Sequence, residues 1–254
     1  MNIKPLQFNF IQYAPKSTVT SPMRMRNQIT ADTVSFSGNN EPEKKPDPLD
    51  VLVPKNQGTI FRKVRDENGK IIGKEKVKVD IVNGGGGLFE FQLDGKTLGG
   101  VIMSCINAES QKAKPEIKKD YEEEGIVGDR IYVDYVINYF EEEYGGMGHL
   151  ADLLEVAACK EKGFDTNVIS YSKCESSPLH YVRGKRFIPF SKYDKNLCKV
   201  YDNKDPNDIV KEVIDNTPKD EKFDTSKIRH YFIMYMPKEQ AKELEEELKA
   251  NPIF

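Results

Sequence analysis

Several features are scarce in this chain of 254 residues, and each absence excludes a class of protein. No apolar run approaches the roughly 18–20 residues that cross a bilayer, so the sequence predicts no transmembrane helix. The N-terminal stretch MNIKPLQFNFIQYAPKS lacks a continuous apolar segment, which argues against a signal peptide. The net charge is −3 and there is no basic excess, so a general nucleic-acid binder is not expected, although a local basic patch is compatible with this composition.

Cysteine is also scarce. The chain has four cysteines, Cys105, Cys159, Cys174 and Cys198, and no two of them form a CxxC pair. Free thiols in a reducing compartment are therefore favoured over a zinc site made from these residues. The sequence thus predicts a cytoplasmic protein without a bound metal.

The composition divides the chain into a tail and a domain. Residues 1–50 are rich in Ser, Thr, Asn, Pro and Lys, and the stretch NNEPEKKPDPLD at 39–50 cannot bury an apolar face, so we predict a mostly disordered tail. Residues 51–254 are predicted to form one domain, because the 13 Phe and 12 Tyr of the chain supply material for a core. A charged stretch at about 191–226 is interpreted as an insertion in this domain.

The first part of the domain has the pattern of strands. Two hairpins are predicted, at 60–82 and 88–106, with turns at Asn68-Gly69 and Asp94-Gly95. Asp94-Gly95-Lys96-Thr97 imitates the end of a phosphate-binding loop, but it lies between two strands and lacks the required upstream glycine, so we interpret it as a turn. Residues 109–125 are interpreted as a charged loop or as a loop that contains a short helix.

A strand, a glycine-rich turn and a helix follow. Residues 131–139 (IYVDYVINY) are dense in β-branched and aromatic residues and predict a strand, and an apolar stripe predicts a helix from Leu150 to Lys162 that ends at Gly163. Further strands are expected at 167–171, 187–190 and 228–236, and further helices at 176–184, 206–215 and 237–250.

The turn between this strand and this helix has the sequence EYGGMGH (143–149). Glycines let a backbone approach a bulky anion, and the next helix presents free N–H groups and its positive dipole end to a phosphate. The pattern indicates a phosphate-binding turn, with a plain strand-to-helix turn that needs positive φ as the alternative.

The order of these elements, the two glycines Gly146 and Gly148, and the stretch AACKEKGF at 157–164 resemble the GNAT superfamily of acyl-CoA-dependent N-acyltransferases over about residues 59–240. The resemblance implies an α+β fold (a three-layer α/β arrangement) with a mixed, largely antiparallel twisted sheet flanked by helices. In that family a Gln or Arg, two variable residues, Gly, one variable residue and then Gly or Ala bind the CoA pyrophosphate. Gly146 and Gly148 match the two small positions, and Glu143 stands where the Gln or Arg belongs.

The resemblance also implies a co-substrate, acetyl-CoA or a related acyl-CoA. Its pyrophosphate would lie on the glycine turn, and its pantetheine arm would lie between two strand ends. The cofactor-binding residues expected on this basis are Val136, Tyr144, Gly145, Gly146, Met147, Gly148, His149 and Ser170.

Asp134 and Tyr181 are the candidate catalytic residues on the same basis. A protonated amine cannot attack a thioester, so a base is needed, and Asp134 would act through water. Strict alternation along the strand groups Asp134 with Tyr132, Val136 and Asn138 on one face. A solvated edge aspartate is the alternative.

Tyr181 would protonate the leaving thiolate, because a phenol is a neutral donor at pH 7. An alignment without a gap places Val182 at that position instead, and the alternative for Tyr181 is a half-buried packing residue. The neighbouring His180 is expected to be exposed on a helix.

The sequence therefore predicts a cytoplasmic N-acyltransferase, in the first instance an acetyltransferase, that acts on an unknown amine of a small molecule or a protein. Neither nucleic acid nor a membrane is expected as a partner, and a homodimer is compatible with the sequence. Glu143, Val182 and the lack of two helices between the first strands depart from the family pattern. The alternative is thus a catalytically degenerate GNAT-like domain that serves as a ligand-binding or protein-interaction module.

Overall fold

The computed structural model describes residues 48–106, 129–164, 169–172, 174–218 and 221–254. The predicted tail up to residue 47 and the predicted loop at 109–125 lie outside these ranges. Residues 45–254 form one compact unit. Its described part begins with a turn at 48–51. Leu49 in this turn is completely buried, and Leu52 just after it is almost completely buried. Leu49 and Leu52 are therefore part of the buried core, and both belong to the largest of the hydrophobic clusters, here called the main core.

Nine strands of the described chain form one sheet in the order β6-β1-β2-β3-β4-β5-β7-β9-β8. Their bounds are β1 Gly58–Arg65, β2 Ile71–Gly85, β3 Leu88–Leu93, β4 Lys96–Ile106, β5 Arg130–Asn138, β6 Tyr144–Gly145, β7 Ile169–Ser172, β8 Arg186–Phe187 and β9 Phe232–Tyr235. Every neighbouring pair is antiparallel except β5 and β7, which are parallel. The protein is therefore a mixed α+β structure with a largely antiparallel sheet.

Six helices accompany the sheet in the described ranges. Their bounds are α1 Met147–Lys162, α2 Ser177–Val182, α3 Phe190–Tyr193, α4 Lys195–Val200, α5 Pro206–Asp215 and α6 Lys238–Ala250, and a 3-10 turn covers Cys174–Ser176. Among the residues that the structure describes, no helix combines the length and the apolar character needed to cross a membrane.

The two predicted hairpins are present because their turns are encoded locally. Asp94 and Gly95 both have positive φ, 50° and 77°, as a tight two-residue hairpin turn requires. In the first hairpin the Asp66 carboxylate accepts hydrogen bonds from the N–H groups of Asn68 and Lys70, and Gly69 has φ 78°.

Sheet order and curvature bring together residues that are distant in sequence. The two residues of β6 pair with β1, with Phe61 opposite Gly145 and Arg62 opposite Tyr144. Asn138, at the end of β5, donates a hydrogen bond from Nδ2 to the Tyr144 carbonyl oxygen (3.2 Å). Because β6 follows β5 along the chain, this pairing curls β1–β5 almost into a barrel, and the sequence carries no sign of it.

Two predictions for the second half need correction, and a third is confirmed. The strand expected at 187–190 is only Arg186–Phe187, and Pro189 precedes the helix that starts at Phe190. The strand expected at 228–236 is shorter, Phe232–Tyr235. The predicted helix at 237–250 is confirmed as Lys238–Ala250, with Ala241, Leu244 and Leu248 buried.

The charged insertion predicted at about 191–226 shares an apolar cluster with the sheet. Helices α3, α4 and α5 surround a cluster that includes Val210 and Val213 from α5 and also Phe232 and Met234 from β9. Asp205 caps α5, whose bounds agree with the predicted helix at 206–215. The insertion is thus a small helical lobe that packs directly on the sheet.

Candidate functional site

The only parallel strand pair of the described sheet opens after two residues. Tyr132 pairs with Ile169 and Val133 pairs with Ser170, and the described residues form no further rungs between β5 and β7. Beyond this point Tyr135 and Val136 are substantially exposed. Ligands commonly bind where the carboxyl ends of neighbouring parallel strands separate. Ser170 therefore lies in the last rung, and Val136 lies beyond it on the open part of β5.

Asp134 occupies a β-bulge at this opening. Met103 pairs with Val133 and Ile102 pairs with Tyr135, so Asp134 is the extra residue on β5. Its side chain is exposed, as are those of the next two residues. A bulge re-aims side chains, and here it interrupts the strict alternation that groups Asp134 with Tyr132 and Val136. The predicted alternation is therefore wrong beyond Val133.

The glycine turn leads into α1 three residues earlier than predicted, at Met147 rather than Leu150. Gly146 is the N-terminal cap residue in the left-handed region (φ 86°) and supplies no side chain to cap the helix. The first intrahelical bond runs from the Leu150 N–H to the Gly146 carbonyl (3.0 Å). The N–H groups of Met147, Gly148 and His149 therefore have no acceptor in the preceding turn, which is the arrangement that suits an anion.

Other backbone groups of the turn are already engaged. The N–H groups of Glu143 and Tyr144 both donate to the Phe140 carbonyl (3.0 and 2.8 Å). The Glu143 carbonyl accepts from the Lys63 N–H (2.8 Å), and the Glu143 side chain is exposed. The turn is thus fixed on β1 on one side and on the end of β5 on the other.

Three side chains surround the glycines. A Cβ on Gly146 would lie 2.9 Å from the Phe61 ring, one on Gly145 would lie 3.9 Å from Lys63 Cε, and one on Gly148 would lie 2.5 Å from Arg183 Nη1. Gly146 is therefore needed for its φ and for its lack of a side chain, whereas Gly148 makes room for the Arg183 guanidinium.

The remaining residues predicted for the turn have different environments. The side chains of Tyr144 and Met147 are buried in the main core, so they anchor the turn to the core and do not face solvent. His149 is partly exposed, and its Nε2 lies 3.1 Å from the carboxylate of Glu247 on α6. This contact ties the first turn of α1 to α6.

A buried charged cluster lies behind the turn, and the sequence does not reveal it. Asp152 and Glu155 project from α1, and Lys185 Nζ lies 2.8 Å from Asp152 Oδ1 and 2.9 Å from Glu155 Oε2. Arg183 Nε donates to Asp152 Oδ2 (2.9 Å), and Arg183 Nη2 lies 2.8 Å from His180 Nδ1. Asp152, Glu155 and Lys185 are almost completely buried. The cluster joins α1 to α2 and to the segment that follows α2.

The protonation states in the cluster follow from burial and neighbouring charge. Burial raises the pKa of Glu155 to about 7, against the opposing attraction of Lys185. Burial also disfavours ionised Asp152, but Lys185 and Arg183 outweigh it and hold the pKa of Asp152 below its usual value. Among the described residues Glu155 Oε1 has no hydrogen-bond partner, so the lost hydration of this buried oxygen is not compensated.

His180 is not the exposed helix residue that the sequence predicts. It is partly buried, and burial together with Lys185 and Arg183 lowers its pKa to about 3. His180 is therefore neutral at pH 7, and its Nδ1 can accept from the Arg183 guanidinium. The Glu155 proton then decides whether the cluster carries no net charge or one positive charge.

Tyr181 is a half-buried packing residue. Its ring stacks on Phe187 (6.5 Å between centroids, 11° between planes), and the Arg186 guanidinium lies 4.4 Å from its centroid. None of the contacts in the described ranges joins Tyr181 to Asp134. Val182, the other alignment for the same role, is largely exposed.

Few signals could have revealed the unpredicted residues. The stripe predicted for α1 consists only of apolar positions, whereas the helix also buries Asp152 and Glu155, which lie one turn apart on a shared face.

In the described ranges no group of three or more His, Cys, Asp or Glu residues could hold a metal ion. No protein-family model, no curated protein and no solved structure matches the chain.

Proposed function

We propose that the chain binds an acyl-CoA and transfers its acyl group to an amine, as an N-acyltransferase of the GNAT type with that superfamily's three-layer arrangement. The observation that carries the proposal is the parallel pair β5/β7, which separates after Val133 and Ser170 and is joined through the glycine turn and α1. An extended pantetheine arm would lie along the open part of β5, in the manner of an added strand. The pyrophosphate would then face the N–H groups of Gly148 and its neighbours.

The proposed reaction needs a base and an acid. The amine nitrogen attacks the thioester carbonyl, the C–S bond breaks, and the proton lost by the amine passes through water to Asp134 at the bulge. The departing CoA thiolate takes a proton, for which Tyr181 is the proposed donor. Acetyl-CoA is the first co-substrate to test. A cytoplasmic location belongs to the same proposal.

One set of contacts favours a second function, a ligand-binding module without catalysis. The Tyr181 ring is held between Phe187 and Arg186, which leaves it poorly placed to follow a leaving thiolate. The exposed carboxylate of Glu143 stands beside the turn, where it would repel a pyrophosphate. Binding of acyl-CoA without turnover would be the mark of this module.

Calorimetric titration of acetyl-CoA into the full chain tests binding, with an expected Kd in the micromolar range. Gly146→Asp should abolish it, because the new carboxylate would occupy the anion site and contact Phe61. Gly69→Asp is the matched control, since Gly69 also has positive φ but lies in a hairpin turn with open space around it. Release of free CoA thiol in the presence of a panel of amines separates the enzyme from the module. Failure to bind acyl-CoA of any chain length would overturn both.

A further inference from the structure

A strip of lysines runs along the outer face of the first hairpin. It consists of Lys63 on β1 and Lys74, Lys76 and Lys78 on β2, and we call it the basic strip. Lys63 lies directly opposite Lys74, Phe61 opposite Lys76, and Thr59 opposite Lys78. Cross-strand partners share a face, so all four lysines point the same way. This face is the outer one, because Ile60 and Val79 on the other face are completely buried.

The charges of the strip are poorly compensated. In the described part of the chain the ammonium groups of Lys74, Lys76 and Lys78 make no ion pair or hydrogen bond. Lys63 Nζ donates to a carbonyl, that of Glu141 (2.5 Å).

In the described part of the chain no carboxylate forms an ion pair with these lysines. Glu75 lies on the opposite face with Arg62, and Glu142 pairs with Arg65. Asp80 shares the face of Lys78 at the far end of the strip, where it accepts from the neutral Gln57 side chain. Like charges directly opposite each other destabilise a sheet, so this arrangement in a chain of net charge −3 indicates an anionic ligand.

The basic strip begins at the glycine turn. Phe61 is the cross-strand partner of Gly145, and its ring contacts the position of Gly146. The Lys63 stem passes Gly145 at 3.9 Å from its Cβ position. Lysines two residues apart on a strand are about 6.5 Å apart, so the strip extends from the turn over roughly the length of a nucleotide. Pairing of β6 with β1 is what brings the two features together.

Resting on the proposed acyl-CoA site, we infer that the basic strip binds the 3′-phosphate of the CoA adenosine. A pyrophosphate on the α1 N-terminus leaves the adenosine at the surface of the turn, beside Phe61 and Lys63. The 3′-phosphate carries nearly two negative charges at neutral pH, and flexible lysine ammonium groups suit such a terminal phosphate. The strip therefore selects phosphorylated CoA thioesters over carriers that lack this group.

The test compares two ligands that differ only in this phosphate. Acetyl-CoA and acetyl-dephospho-CoA are titrated into the full chain, and we expect the former to bind about tenfold more tightly at low salt, with the difference reduced at high salt. The double variant Lys74→Gln/Lys76→Gln should lose this preference and keep the affinity for the dephosphorylated ligand. Lys199→Gln/Lys211→Gln, which removes the same charge from exposed positions of the insertion, should keep the preference.

The outcomes separate the two proposals. Equal affinity of the unmodified protein for both ligands, or an unchanged preference in the Lys74/Lys76 variant, overturns the assignment of the strip while leaving the acyl-CoA site in place. Absence of binding by either ligand overturns the acyl-CoA site itself, and the assignment of the strip with it.

Discussion

Lys185 is a buried cation with two buried carboxylate partners. Its ammonium group is buried between the carboxylates of Asp152 and Glu155 and stabilises both. Lys185→Met would leave these buried carboxylates with Arg183 alone, so we expect the free energy of unfolding to fall by about 3–5 kcal/mol. Urea denaturation at pH 7.5 measures the loss. The double variant Lys185→Met/Glu155→Gln, which removes one charge of each sign and keeps the Asp152–Arg183 pair, should recover most of it. A double variant as unstable as the single one would contradict this account.

The raised pKa of Glu155 predicts a pH-dependent effect of Glu155→Gln. The pKa is about 7 in the folded protein against an ordinary value of 4.5, so between these values the folded state binds more protons than the unfolded state. Ionisation of Glu155 therefore costs stability as pH rises through this window. Relative to the unmodified protein, Glu155→Gln should gain stability from pH 5 to pH 8, by up to roughly 3 kcal/mol.

The comparison with the unmodified protein matters because His180 titrates in an overlapping range. Its lowered pKa makes stability rise with pH over the acidic part of the window, and this contribution is present in both proteins. Thermal melts of the two proteins at matched pH values measure the difference between them. A difference that does not change with pH would show that Glu155 is already ionised at pH 5.

For single residues, the sequence predicts which apolar side chains are buried better than it predicts the positions and contacts of polar side chains. Ala241, Leu244 and Leu248 are buried as their spacing predicts. The buried positions of Asp152 and Glu155 depend on Lys185, some thirty residues away, which no local pattern reports. The bulge at Asp134 depends in the same way on the register of β4.

Among the secondary-structure elements, the close approach of β4 to the turn between β2 and β3 gives a clear prediction. A Cβ on Gly87 would collide with the Met103 carbonyl oxygen, whereas nothing lies within 4 Å of one on Gly86, and both glycines have positive φ. Gly86→Ala should therefore cost about 1–2 kcal/mol from backbone strain alone. Gly87→Ala should cost at least about 2 kcal/mol more, because backbone must shift.

Chemical denaturation of the two glycine variants measures these costs. The pair is matched in sequence context and in the sign of φ, so the difference between them isolates the contact with Met103. Equal costs for the two substitutions would mean that β4 moves away freely.

The sequence predicts the helices and strands whose own residues carry turn, cap or alternation patterns. It does not predict the short strands that form only by pairing with another strand. The two hairpins and α5 carry turn residues, caps and alternation in their own sequences. The two-residue strands β6 and β8 exist only because β1 and β9 pair with them, so their sequences carry no recognisable pattern. The sequence thus predicts the glycine turn itself but not its attachment to β1.

For the whole molecule, the insertion and the sheet should unfold together. The cluster that holds α3–α5 includes Phe232 and Met234 of β9, a strand that also pairs with β7. Val210 is completely buried in α5, so Val210→Ala should lower the free energy of unfolding by roughly 2 kcal/mol and keep a single transition. Far-UV circular dichroism and tyrosine fluorescence should therefore give coincident curves.

Val200→Ala is the control for this prediction, because Val200 is 54% exposed at the end of α4. It should change stability by less than about 0.5 kcal/mol. Two separate transitions in the Val210 variant would show that the insertion is an independent folding unit.

The closure of the sheet by β6 also bears on the order in which the protein folds. The hairpins of β1–β4 join neighbours in sequence, whereas β6 must find β1 across the whole meander, so its contact has a high sequence separation. A pairing of only two residues is also expected to open locally at a lower free energy than the longer strand pairs. We expect the amides around Gly145 to exchange with solvent faster than those of β2 and β3. If the proposed acyl-CoA binds the glycine turn only in its paired arrangement, it should slow this exchange selectively.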